Sequence, residues 1–200
     1  MPNPTHVPDE RAWMLPDEPL PVRLMSTIWG DADGIHDDLG ATADLDAWLD
    51  AVGVGRAEAQ TTESELALAR ALRDAVRRLA GYVTGDGRPQ AASVVTDIAA
   101  AVGQVNAVAA MLPARSLALN DDRLELGAPA APSPVTAGLA RVAVAAIGLF
   151  AGADAARLRA CTAPNCVQYF VRTHPRRQWC TVACGNRVRA ARHYQRSRQR

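Results

Sequence analysis

All four cysteines of this 200-residue chain fall between Cys161 and Cys184, spaced Cys161-x4-Cys166, thirteen residues, then Cys180-x3-Cys184. Two close pairs separated by a hairpin-sized segment suit a tetrahedral metal, because each pair supplies two thiolates from one turn. Four cysteine ligands leave no open coordination position, so the spacing predicts one structural zinc ion. A segment this short obtains little folding energy from a core, and the metal supplies it instead. Structural disulfides would need an oxidising compartment, of which the sequence gives no sign. A thioredoxin-like pair prefers a two-residue gap at a helix start. An iron–sulfur cluster also takes four cysteines, and spacing alone does not separate it from zinc.

The residues around the cysteines suggest a shape. "VQYFVRT" is β-branched and aromatic, "HPRR" is a turn, "QW" leads into Cys180, and from Val182 the pattern turns helical. This predicts a knuckle, a hairpin, and a helix whose first turn supplies the last ligand, the order of a treble-clef finger. His174 sits in the turn and is read as a surface residue. Tyr169, Phe170, Trp179 and Tyr194 are expected to form the small core of the finger.

Charge divides the chain at about residue 155. Residues 1–156 hold 11 Arg against 21 Asp plus Glu, whereas residues 157–200 hold 11 Arg and no acid, although the formal net charge is only +1. Such asymmetry points to an anionic partner for the basic part, nucleic acid first. The competing reading is that the acidic part neutralises the basic part within one molecule. At 100° per residue, and with Val188 at zero, Arg192 lies at about 40°, Arg196 at about 80°, Arg189 at about 100° and Arg200 at about 120°. His193 flanks that face, while Val188, Ala191 and the stem of Gln195 form the opposite side. Guanidinium groups bind phosphate bidentately and read guanine edges. With Arg172, Arg176, Arg177 and Arg187 nearby, these residues form the expected nucleic-acid surface. Arg187 has an equally good use in hydrogen-bonding the carbonyls of the metal loop. Gly185 is expected to allow close approach there, and Asn186 to brace the same loop.

The earlier part reads as a mainly helical domain with short strands. Residues 1–21 are proline-rich and suggest an irregular arm, with no apolar segment of the kind a secretory signal carries. "VRLMSTIW" (Val22 to Trp29) reads as a strand. Thr42 is the expected N-cap of a helix over "ADLDAWLDAVG". Thr62 and Glu65 form a capping box for a longer helix with an apolar stripe at Leu66, Ala69, Leu72, Val76 and Leu79. The arginines at 70, 73, 77 and 78 are read as solvated or paired with nearby acids. "GDGRP" breaks the chain, a helix is expected from about Gln90 to Met111, and "SLALNDDRLEL" reads as a hairpin. A linker, "GAPAAPSP", precedes a helix opened by Ser133 and Pro134. That helix is long and apolar enough to suggest a membrane span, but Arg141 and its alanine-rich composition favour a packed helix. His6 and His36 are isolated. Asp31, Asp33, Asp37 and Asp38 miss the EF-hand order and read as a solvated loop. No nucleophile, base or phosphate loop stands out, so an enzyme is not expected.

"WCTVACGNR", preceded by "RLRAC" and a second cysteine, resembles the CGNR zinc finger, with Cys184-Gly185-Asn186-Arg187 matching its signature. The preceding part resembles the ABATE domain that accompanies that finger in bacterial proteins, through "LMSTIW", "LDAWL" and "ARALRDAVRRL". Where many members carry Asn-Thr after the first strand, this chain has Ser26-Thr27. The resemblance implies a stress-related transcription regulator that binds DNA. The expectation is therefore an α+β, mainly α chain: an arm (1–21), an ABATE-like domain (22–155) and a CGNR-type finger (156–200). It would be cytoplasmic, with DNA as partner, no membrane association, assembly as a homodimer, and an unidentified small ligand or protein at the N-terminal domain. The alternative is an adaptor whose finger is structural and whose arginines dock on an acidic protein or on RNA.

Overall fold

The computed structural model describes residues 15, 17–114, 116–127 and 131–198. Residues 1–14 of the expected arm, including His6, and Arg200 lie outside the described residues. The fold is α+β and mainly α, ending in a four-cysteine finger.

The chain opens with helix α1 (Leu20–Met25), followed by strand β1 (Ile28–Gly30) and strand β2 (Ile35–Asp37), which pair antiparallel. The strand expected over Val22–Trp29 is thus helix in its first half and strand only at Ile28 and Trp29. Pro19 caps α1 and Pro21 occupies its first turn, where a fixed φ and a missing N–H suit a helix start. Helix α2 (Thr42–Val52) begins one residue earlier than the expected cap allows, with Ala41 at the N-cap. Ala41 offers no side-chain acceptor, and the Asp44 carboxylate inside the first turn accepts the Ala41 N–H at 2.8 Å, so an acid at the helix start satisfies the N-cap amide.

Helix α3 (Glu63–Thr84) carries the predicted capping box: Thr62 Oγ1 accepts from the Glu65 amide, and Glu65 Oε2 accepts from the Thr62 amide. The other Glu65 oxygen accepts from Ser133 Oγ and Thr136 Oγ1 at the start of helix α5 (Pro134–Ala151), tying the two helix starts together. Between them, the helix expected from Gln90 is shorter. Residues Pro89–Ala91 form a 3-10 turn, the chain then runs extended, and α4 (Ile98–Ala109) starts at Asp97, whose carboxylate accepts from the Ala100 amide. Strands β3 (Ser116–Asn120) and β4 (Arg123–Gly127) form the expected hairpin, with positive φ at both turn residues, Asp121 and Asp122.

The core is built from α1, α2, α3, α4 and α5 around Leu24, Trp48, Leu72 and Leu139. α5 packs against α1, α3 and α4. A Cβ on Gly138 would meet Val54 Cγ1 at 3.0 Å, and the lone Arg141 donates to the Val54 carbonyl at 3.0 Å. The same core continues into the finger: Leu158 of strand β5 (Leu158–Ala160) and Tyr169 and Val171 of strand β6 (Tyr169–Val171) belong to it. These strands flank the first cysteine pair, so the finger's hairpin frames the knuckle rather than following it. Helix α6 (Val182–Arg198) closes the chain.

Candidate metal centre and basic helix

β5 and β6 deliver Cys161 and Cys166 from the tip of their hairpin, and the Cys166 amide donates to the Ala163 carbonyl at 3.1 Å to close the turn. The second pair comes from the entry to α6, where Thr181 Oγ1 accepts from the Cys184 amide and caps the helix. All four thiols are buried, and their sulfurs lie within 4.8 Å of one another. Cys166 and Cys180 Sγ are 3.8 Å apart, and Cys180 and Cys184 Sγ 3.4 Å. Sulfurs about 2.3 Å from a shared zinc would be separated by about 3.8 Å. The four-cysteine cluster fits a single structural zinc ion. His174 stays outside it, exposed, with its Nδ1 accepting from the Arg176 amide.

Around the cysteines stands a shell of arginines that the sequence did not single out for this role. Arg88 Nη1 donates to the carbonyls of both Cys161 and Cys166 at 2.6 Å. Its other nitrogens hold Asp86, which also accepts from the Tyr169 hydroxyl at 3.1 Å. Burial alone would raise the Asp86 carboxyl, but the hydrogen bonds from Arg88 and Tyr169 and the Arg88 charge hold it below its ordinary value. Burial, reinforced by the Asp86 charge, pushes the Tyr169 phenol up to about 12. Arg77, read as a surface or paired cation, is 2% exposed and donates to carbonyls rather than to a carboxylate. Its guanidinium reaches the carbonyls of Met25 and Val167 at 3.1 and 3.2 Å, and lies over the Tyr169 ring. Burial lowers its pKa. Arg73 pairs with Asp37 at 2.6 Å and Arg70 donates to the Leu39 carbonyl.

Two arginines of the expected nucleic-acid surface make contacts within the finger. Arg177 donates to the carbonyls of Cys180 and Val171, pairs with Glu18 at 2.6 Å, and lies 4.9 Å from the Phe170 ring centre. Glu18 is buried and also accepts from the Val171 amide. Arg187 donates to Cys184 Sγ at 3.0 Å, to the Pro164 carbonyl at 3.3 Å and to the Gly30 carbonyl at 3.4 Å. It hydrogen-bonds the metal loop at Pro164 and Cys184. Four thiolates around Zn2+ carry net negative charge, which the Arg187 guanidinium offsets. Gly30 is another residue missed from sequence: a Cβ there would stand 2.3 Å from the Asn165 carbonyl of the knuckle. Gln168 completes the seam by donating to the Ser26 and Ile28 carbonyls.

Other expected residues fall differently. Gly185 allows close approach, but to Trp179, whose Cε3 would be 3.1 Å from an added Cβ. Asn186 accepts from Arg189 on the helix surface rather than bracing the metal loop. Phe170 and Trp179 pack with the cysteines as expected, Tyr169 joins the larger core, and Tyr194 is exposed, with Arg198 beside its ring. Val188 packs on the cysteine cluster, Ala191 is partly buried, and Gln195 is exposed rather than resting on the hairpin. Arg172, Arg176, Arg192 and Arg196 are exposed, and their side chains make no hydrogen bond or ion pair among the described residues. The four loop aspartates do not converge: Asp31 holds His36, Asp37 holds Arg73, and Asp38 accepts from Trp29 Nε1.

Comparison with protein families gives two matches. Residues 18–153 match ABATE, described as "Putative stress-induced transcription regulator", and residues 157–197 match the CGNR zinc finger. Neither description is of an enzyme. Comparison with curated proteins finds no match. With its helical body and its arginine-braced cysteine cluster each matched in turn, the chain belongs to the ABATE family and carries a CGNR zinc finger after its ABATE domain.

Proposed function

We propose that this zinc-binding protein is a cytoplasmic transcription regulator that binds DNA through α6. The observation that carries the reading is the exposed face of that helix. Arg192 and Arg196 stand one turn apart, exposed and without a protein partner among the described residues, while Val188, one turn before Arg192, rests on the metal cluster. Metal and core fix the helix, and the outer arginines present charge to phosphate. Arg172 and Arg176 lie exposed on the loop between β6 and Cys180 and extend the same charge. Arg177 and Arg187 position the finger and make no direct contact in this reading. No catalytic step enters it.

Selection from random duplexes by the zinc-loaded protein, followed by footprinting across a salt series, tests the proposal. A recovered sequence and a footprint that Arg192→Ala and Arg196→Ala abolish are the expected result. Weak binding without a sequence or a footprint would overturn it and favour an acidic protein as the partner of α6.

A further inference from the structure

The β3–β4 hairpin carries a feature that the zinc site and α6 leave unused. Its register sets Leu117 opposite Leu126 and Leu119 opposite Leu124. Residues directly opposite each other in an antiparallel pair point to the same face, so the four leucines form one apolar square. They are 73%, 73%, 66% and 69% exposed, in that pairing order, and none belongs to either buried cluster of the molecule. Ser116, Ala118 and Asn120, with Arg123 and Glu125 across from them, occupy the other face. The alternation is that of a strand pair with one side in water and one side covered. Nothing among the described residues covers it, and β3 and β4 pack substantially only on each other. A two-stranded hairpin alone is marginal in water.

We propose that the leucine face of β3–β4 is a homodimer interface and that its occupant is the same face of a second copy. Two observations favour a second copy over an unlike partner. The square holds no charged or polar group, so nothing in it asks for a complementary charge on another protein. It also draws two leucines from each strand, so a two-fold axis can set the face against its own copy with leucine meeting leucine throughout. Four leucines at this exposure offer on the order of 500 Å² per copy, so a pair buries on the order of 1,000 Å², which reaches the threshold of a biological interface and suits a weak, reversible dimer. Both hairpins keep their polar faces in water, and the acidic turn at Asp121 and Asp122 lies at the end of the contact rather than inside it. The proposal does not depend on what α6 binds.

Sedimentation equilibrium of the full zinc-loaded chain tests it, alongside the double variant Leu119→Glu/Leu124→Glu. The wild type is expected at twice the 21.2 kDa chain mass, and the variant at the monomer mass, with dimerisation weakened by roughly a thousandfold or more. Zinc content and far-ultraviolet circular dichroism of the variant should match the wild type, because the replaced side chains touch neither core. A second measurement needs no variant: amide exchange of residues 116–127 should slow as wild-type concentration rises. A wild type that stays monomeric, or a dimer that survives the double substitution, would overturn the proposal. So would exchange rates at the hairpin that ignore concentration.

Discussion

The arginines of the helical body and those of the last helix use the same side chain in opposite ways. Arg73, Arg77 and Arg88 lie on or beside α3, buried or half-buried, with their donors aimed at carbonyls and carboxylates. Arg192 and Arg196 lie on α6 with their donors in water. A planar fork of five donors suits both tasks, since it can bridge several carbonyls in a seam or grip a phosphate outside. The dividing line runs through the finger itself: Arg177 and Arg187 belong with the body's arginines and hold the ligand residues in place. Charge asymmetry along a chain therefore overstates the charge available to a partner, because part of it is neutralised within the fold.

The largest effect should come from the metal, and it separates body from finger. Zinc binding by a four-cysteine site is worth on the order of 10 kcal/mol of folding free energy. Chelation, or Cys184→Ser, is expected to abolish amide protection from Cys161 through α6. The helices α3, α4 and α5 should stay protected, because their core is apolar and continuous without the finger helix. Loss of protection throughout the chain would show that the body has no independent stability.

Next in size is Arg88, where the two regions meet. Arg88→Ala would strand the largely buried Asp86 carboxylate and leave two knuckle carbonyls without their donor. Breaking such a pair costs about 3–5 kcal/mol, and weaker support around a metal ligand lowers metal affinity about 10–100-fold. Competition with a chromophoric chelator measures the second quantity. Asp86 also makes a prediction about pH. Its folded-state value is below the ordinary one, so its contribution is fully present above about pH 4 and is lost as pH falls through the folded value. Asp86→Asn should flatten that acid limb in chemical denaturation at matched zinc occupancy. Arg177→Ala should follow, at up to about 3 kcal/mol, since it leaves the buried Glu18 without its cation.

What could be read from sequence was local. The cysteine spacing, the Thr62–Glu65 box, the Ser133–Pro134 start and the β3–β4 turn all depend on residues a few positions apart, and all appear in the fold. Burial of Arg77 was not legible, because it depends on carbonyls at Met25 and Val167, brought together only by tertiary packing. The same holds for Arg88 and for Gly30, whose neighbours lie in the knuckle. The misread segments have a physical reason too. Val22–Trp29 has strand-like residues, yet the prolines before and within its first turn favour a helix start. Gln90–Met111 has a helical composition, but Asp97 offers a better cap than anything before it. For Arg187 the sequence left two roles equal, and the 3.0 Å approach to Cys184 Sγ is the contact that only the fold makes visible.

The smallest expected effect on stability is the most informative about α6. Arg192→Ala and Arg196→Ala remove no hydrogen bond or ion pair among the described residues, so zinc affinity should be unchanged and the melting temperature should move by no more than about 1 °C. Arg177→Ala and Arg187→Ala should behave in the opposite way, lowering both. On duplex DNA the order should reverse. Every phosphate that α6 no longer neutralises makes the slope of log affinity against log salt shallower by about 0.9. Arg187→Ala, compared at full zinc occupancy, should leave that slope intact, because its guanidinium points at Cys184, Pro164 and Gly30. If Arg187→Ala changed the salt slope as much as Arg192→Ala, the division between arginines that build the finger and arginines that face a partner would fail at the residue where it is drawn most sharply.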